Sequence, residues 1–164
     1  MAKRRAIYAG SFDPPTEGHL NLVRRGLKLF DEVIVAVAES TSKRYVFTTA
    51  ERVELWKQLV RNQPRVKVET FSGLLVNYAR GRGATAILRG LRNLTDFEYE
   101  ITMAATNQTL VPEIEIVFLM TEPRYAHISS TLIKEIVMLG GAVKTMVPRL
   151  IERELKKKLR SGRN

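Results

Sequence analysis

The sequence predicts an α/β fold: a doubly wound, five-stranded parallel sheet followed by a C-terminal helical extension. Three observations carry that prediction. Short β-branched runs alternate with segments of helical periodicity along almost the whole chain. Each run is apolar on nearly every residue instead of every second one, the pattern of strands covered on both faces. Capping boxes and glycines mark the joints between segments. Alternating strands and helices of this kind define a Rossmann-like architecture, which binds ligands beyond the carboxyl ends of its strands.

The strands are expected at Ala6 to Ala9, Val33 to Ala38, Val66 to Thr70, Thr85 to Leu88 and Ile114 to Met120. After the first strand Leu20, Val23, Leu27 and Phe30 recur at helical spacing, and after the second Val53, Trp56 and Val60 do. Phe97, Ile101 and Ala104 do the same after the fourth, and all three sets are expected to be core stripes. Thr48 with Glu51, and Thr95 with Glu98, match the capping box and place two helix starts. A further helix is expected from around Ser129 to Thr131 as far as Gly140-Gly141. A last one follows Pro148 into a basic tail that reads as a solvated helix with a frayed end. With no linker, repeat or low-complexity segment, residues 1–164 are expected to form one domain.

Composition narrows the function. The longest uninterrupted apolar run, Val33 to Ala38, is six residues, against the ~20 of a membrane-spanning helix. The first twenty residues hold no secretory signal, so no membrane partner and a cytoplasmic location are expected. Cysteine is absent, which removes disulfides, thiolate metal sites and cysteine nucleophiles. Two histidines, His19 and His127, are too few for a structural zinc site. The net charge of +10 suggests a polyanion, but it is concentrated at the two ends. Lys3, Arg4 and Arg5 hold one share, and residues 149–164 carry seven basic side chains against two acidic ones. The body is nearly neutral, which argues against nucleic acid as a partner.

Chemistry-bearing residues collect where the strands end. The first strand runs into Gly10-Ser11-Phe12-Asp13-Pro14-Pro15-Thr16-Glu17-Gly18-His19 and then a helix, a place whose free N–H groups and dipole suit phosphate. Gly10 admits a ligand close to the backbone, and His19 at the helix opening is a candidate donor to phosphate oxygens. At the end of the fourth strand, Arg89 and Arg92 flank Gly90-Leu91, and guanidinium forks match phosphate bidentately. Lys43, after the second strand, is a candidate third cation. After the fifth strand, Ser129, Ser130 and Thr131 open a helix with three hydroxyls where one suffices for a cap.

Competing motifs fail. The Walker pattern is absent, which excludes a P-loop NTPase. Gly81, Gly83 and Ala86 match a dinucleotide fingerprint in spacing, but they follow a helix and precede a strand and read as a helix end and turn. Ser11, Asp13 and His19 lack the Gly-x-Ser-x-Gly context of a hydrolase elbow.

Gly10 to His19, Arg89-Gly-Leu-Arg92 with Asp96-Phe-Glu-Tyr-Glu100, and Ile128-Ser-Ser-Thr131 together closely resemble the bacterial phosphopantetheine adenylyltransferases, from about residue 4 to 150. The Thr-x-Gly-His element alone places the chain only in the wider nucleotidyltransferase superfamily. The resemblance implies reversible transfer of the adenylyl group of ATP to 4′-phosphopantetheine, giving 3′-dephospho-coenzyme A and pyrophosphate. It also implies Mg²⁺ carried on the ATP phosphates, a homohexamer, and coenzyme A or dephospho-coenzyme A as product or feedback ligand. Residue by residue, it implies that His19 stabilises the transition state with Lys43 and Arg92. ATP would be held by Ser11, Phe12, His19, Gly90, Leu91, Arg92 and Glu100, and by Tyr125, Ala126, His127, Ile128, Ser129, Ser130 and Thr131. Ser11, Lys43, Leu75 and Arg89 would hold phosphopantetheine. Ser11 stands where threonine also occurs, and Gly73 replaces an acidic residue of some members. The rivals are a related nucleotidyltransferase with another acceptor, and a non-catalytic module whose basic ends contact nucleic acid.

Overall fold

The computed structural model describes residues 3–39 and 44–160. Strands β1 (Arg5–Gly10), β2 (Glu32–Ala38), β3 (Val66–Phe71), β4 (Ala86–Leu91) and β5 (Glu115–Met120) form one sheet, ordered β3-β2-β1-β4-β5, with every pair parallel. The order reverses between β1 and β4, which makes their carboxyl ends the switch point where such sheets open a crevice. Helices α1 (Glu17–Leu29), α2 (Thr49–Leu59), α3 (Leu75–Gly81), α4 (Leu94–Leu110), α5 (Ser130–Met138) and α6 (Arg149–Arg160) surround it.

The two-residue period of the strands divides the core. Ala6, Tyr8, Val33, Val35 and Val37 pack on one face with Leu20 and Val23 of α1 and Trp56 of α2. Ile7, Ala9, Ile34 and Ala36 pack on the other with Val76 and Ala79 of α3. At the amino end of β2, buried Glu32 meets Lys3, Arg5 and Lys67. Burial alone would push its carboxyl up, but the Lys3 and Arg5 hydrogen bonds and the Arg5 charge hold it at about 2.

Four expectations need correction. The Phe97, Ile101, Ala104 stripe is not core: α4 buries no residue, and Phe97 and Ile101 are 38% and 48% exposed. Periodicity identifies an apolar face but says nothing of what covers it. The start of α4 is not the Thr95 and Glu98 box. Asn93 caps it, its side chain accepting from the Asp96 N–H at 2.8 Å, while Asp96 turns its carboxylate to Arg92. The fourth strand runs through Leu91, so Arg89 and Gly90 lie inside it. Finally, α6 is anchored, because Ile151 and Leu155 are wholly buried in a cluster with Phe47, Ile133 and Val137. The side chains it exposes most, Arg149, Arg153, Lys157 and Lys158, are basic.

The Thr48 and Glu51 box does form, with both reciprocal hydrogen bonds. Gly81 ends α3 and Gly83 adopts φ +60, the helix end and turn read from the sequence. Gly73 has φ +77, a backbone that glycine takes without strain. The revised α4 start makes a prediction: Asn93→Ala costs about 1 kcal/mol in urea unfolding, whereas Thr95→Ala stays within about 0.5 kcal/mol of wild type.

Candidate active site

A cleft of about 730 Å³ opens at the switch point, lined by the end of β1, the loop into α1, the end of β4 and the start of α5. Its geometry begins with Thr16, the N-cap of α1. The Thr16 hydroxyl accepts from the His19 N–H at 3.2 Å, and the Thr16 N–H donates to His19 Nδ1 at 3.0 Å. This is a reciprocal capping box with histidine in the place of the usual glutamate. With Nδ1 accepting, the ring proton resides on Nε2, which is left as a donor. Burial first, and the Arg92 charge second, lower the His19 pKa to about 4, so the ring is neutral across the physiological range.

Phe12 holds that ring from below. It adopts φ +52, uncommon for a residue with a side chain, and is 3% exposed. Its ring stands edge-on to His19 at 5.1 Å and to Trp56 at 5.0 Å. A Cβ on Gly10 would lie 3.0 Å from the Phe12 ring, so only glycine leaves that ring in place.

The two arginines of the fourth strand are already engaged. Arg89 donates Nε to Glu100 at 2.7 Å, Nη2 to the same carboxylate, and Nη1 to the Ala9 carbonyl at 3.1 Å. Arg92 grips both oxygens of Asp96 and donates to the Ile128 carbonyl at 3.2 Å. Asp96 and Glu100 stand one turn apart on α4, so one helix face supplies both counter-charges. A ligand phosphate competes with these carboxylates for the same forks.

The three hydroxyls of α5 divide their work. Ser129 is the N-cap, accepting from the Leu132 N–H at 3.1 Å, and Ser130 donates to the Pro14 carbonyl at 2.9 Å. Thr131 also lines the cleft. Buried Asp13 accepts from the Val46 and Phe47 N–H groups, each at 2.9 Å, and from Lys134 Nζ at 3.1 Å. It ties the loop after β1 to the loop before α2 and to α5.

Of the sequence candidates, Ser11, Phe12, His19, Arg89, Gly90, Arg92, Glu100, Tyr125, Ile128, Ser129, Ser130 and Thr131 all line this cleft. Leu75, Leu91, Ala126 and His127 do not. Leu75 is half-buried against the cluster that includes Ile34, Val76 and Ala79, Leu91 is 5% exposed, and His127 is on the surface. Lys43 lies outside the described residues. Sequence reasoning missed Tyr8, Arg44, Tyr45, Thr121 and Lys134 as lining residues. Of these, Lys134 alone had a local signal, one turn after Ser130 on the same helix face. Among the described residues no cluster of three or more acidic or histidine side chains could hold a metal, and no helix is long and apolar enough to cross a membrane.

The family model described as cytidylyltransferase-like matches residues 7–136, and the fold and cleft place the chain among the nucleotidyltransferases. Within that class, a phosphopantetheine adenylyltransferase of Desulforudis audaxviator (strain MP104C) is 50% identical over 153 residues, 93% of this chain and 94% of the relative. Proteins of the same name from Desulfatibacillum aliphaticivorans and Caldanaerobacter subterraneus subsp. tengcongensis are 48% and 47% identical, over 96% and 97% of this chain and 90% and 99% of theirs. The chain belongs to the phosphopantetheine adenylyltransferase family.

Proposed function

We propose that the protein catalyses reversible transfer of the adenylyl group of ATP to 4′-phosphopantetheine, a step of coenzyme A biosynthesis. A phosphate oxygen of the acceptor attacks the α-phosphorus in line, the bond to the bridging oxygen breaks, and pyrophosphate leaves with the electron pair. No covalent enzyme intermediate forms. An ionised phosphate is already the nucleophile, so the protein supplies positioning and charge neutralisation.

The observation that carries this reading is the neutral His19, its Nε2–H left over beside Arg89 and Arg92 at the switch point. A neutral donor strengthens its hydrogen bond as negative charge builds on the phosphate oxygens, which favours the transition state over bound ATP. Arg92, Gly90 and the start of α5 are proposed to hold ATP, and Arg89, Ser11 and Lys43 the acceptor phosphate. Glu100 acts through Arg89. The carboxylates of the cleft are paired with Lys134, Arg92 and Arg89. Mg²⁺ is proposed to arrive on the ATP phosphates, since this ion is usually held by substrate phosphates with one or two carboxylates.

The homohexamer, a cytoplasmic location and coenzyme A as feedback ligand are part of the proposal. Support for assembly comes from α4, where Leu94, Phe97 and Ile101 recur at helical spacing and are exposed. Sedimentation velocity reads the assembly directly.

The activity is tested by pyrophosphate release with MgATP and 4′-phosphopantetheine, beside nicotinamide mononucleotide and other phosphorylated acceptors. Release with phosphopantetheine alone is expected. Release with a different acceptor only would move the substrate, and no release with any would end the enzyme reading.

A further inference from the structure

Among the described residues, four side chains charged at neutral pH, Asp13, Glu32, Arg52 and Glu152, are each less than a tenth exposed. Three of them have an opposite charge within reach: Asp13 has Lys134, Glu32 has Lys3, Arg5 and Lys67, and Glu152 has Lys156. Arg52, which is 0% exposed, pairs with no carboxylate among the described residues. Its guanidinium donates instead to the main-chain carbonyls of Ser11 at 2.6 Å and Ala38 at 3.0 Å, and to the Thr49 hydroxyl at 2.9 Å. It lies 4.2 Å from the centre of the Tyr45 ring, and its Nε finds no acceptor.

For stability alone this is a poor choice. Desolvating a guanidinium is costly, neutral acceptors offset that less well than a carboxylate, and apolar residues of similar volume commonly serve as well or better. The groups that Arg52 holds are more informative. Ser11 is the first residue beyond β1, in the loop that leads to His19, and Ala38 is the last residue of β2. Tyr45 lines the cleft beside Ser11, its hydroxyl 3.4 Å from the Ser11 hydroxyl, whereas Arg52 itself does not line it.

We propose that Arg52 is a positioning residue for the transfer reaction. It clamps the loop after β1 to the end of β2 and to the face of Tyr45, and so fixes the cleft-lining loop that leads to His19. The proposal rests on the adenylyl-transfer reading of the cleft. In-line transfer needs the reacting atoms aligned at ~3–3.5 Å, and a displacement of ~1 Å costs about 10²-fold in rate. Nη1 donates to both carbonyls while Nη2 donates to Thr49 and the guanidinium plane lies over Tyr45; lysine keeps the charge but has one nitrogen and no plane to stack.

The test compares Arg52→Lys and Arg52→Met with Glu32→Gln, a change at the amino end of the sheet, far from the cleft. Steady-state kinetics with MgATP and 4′-phosphopantetheine are run with thermal unfolding of each protein. The expected result is a loss of kcat of about tenfold or more in Arg52→Lys, and a larger one in Arg52→Met, with KM for ATP within about threefold of wild type. Glu32→Gln lowers the unfolding temperature and keeps wild-type kcat. If the Arg52 variants lose unfolding temperature while keeping kcat, the arginine is merely structural and the proposal is overturned. A raised KM with unchanged kcat overturns it as well, because it shows binding and not alignment. Should Arg52→Met fail to fold, Arg52→Lys decides alone. An inactive wild-type protein would sink the activity reading, an outcome separate from wild-type kcat in the variants.

Discussion

His19→Ala lowers kcat by about 10²-fold or more while KM for ATP changes little, the signature of a contact made in the transition state. Nδ1 of His19 fixes the tautomer. Because it accepts from the Thr16 N–H, the ring must present Nε2–H outward, and because the pKa is about 4 that donor is neutral at the pH of the assay. The pH profile follows. The group has a folded pKa below its ordinary value of 6.5, so kcat shows no break near 6.5 and falls only as the pH approaches 4, where protonation of Nδ1 breaks its bond to Thr16. Alanine also removes one half of the capping box, which costs about 1 kcal/mol of stability on its own. His19→Gln separates the two effects. Glutamine suits this position of the box, so it recovers unfolding temperature but not kcat. A His19→Ala protein with kcat within fivefold of wild type would remove His19 from the chemistry.

The sheet was legible in the sequence because its evidence is local. Val33 to Ala38 is a strand however the rest folds, and Thr48 with Glu51 caps α2 within four residues. Where the sequence reading failed, the deciding partner was either competing nearby or far away. Asn93-x-x-Asp96 and Thr95-x-x-Glu98 both offer a helix start, and the Asp96 pairing with Arg92 favours the first. The stripe of Phe97 and Ile101 has the correct period but is only partly covered: Phe97 meets the Phe118 ring of β5 edge-on at 6.4 Å and is still 38% exposed. In the candidate site, Arg89 and Arg92 were visible as cations, but their binding to Glu100 and Asp96 was not, because helix phase alone does not say which strand a helix faces. The hydroxyl run at Ser129 to Thr131 promised three phosphate donors, of which Ser129 and Ser130 are engaged with the chain's own backbone. Thr16 was read only as part of a motif, since a histidine closing a capping box falls outside the usual Glu or Gln pattern.

The most destabilising single change expected at the site is Asp13→Ala. Its carboxylate, 3% exposed, serves the Val46 and Phe47 N–H groups and the Lys134 ammonium, which is 121 residues away. Removing it leaves two amides without their acceptor and a largely buried cation without its counter-charge, at a cost of about 3–5 kcal/mol in urea unfolding. Lys134→Met removes only the cation and leaves Asp13 its two N–H donors, so it costs less. The two residues share one network, so the double variant Asp13→Ala/Lys134→Met is less destabilised than the sum of the single ones, by about 1–3 kcal/mol. Additivity would mean that the ion pair is incidental to the fold. The coupling has a functional side, since Asp13 lies in the loop that ends at His19 and Val46 follows Tyr45, which lines the same cleft. Lys134→Met should therefore lower kcat more than its modest stability loss implies, because the loop it loosens through Asp13 is the one that Arg52 also holds at Ser11.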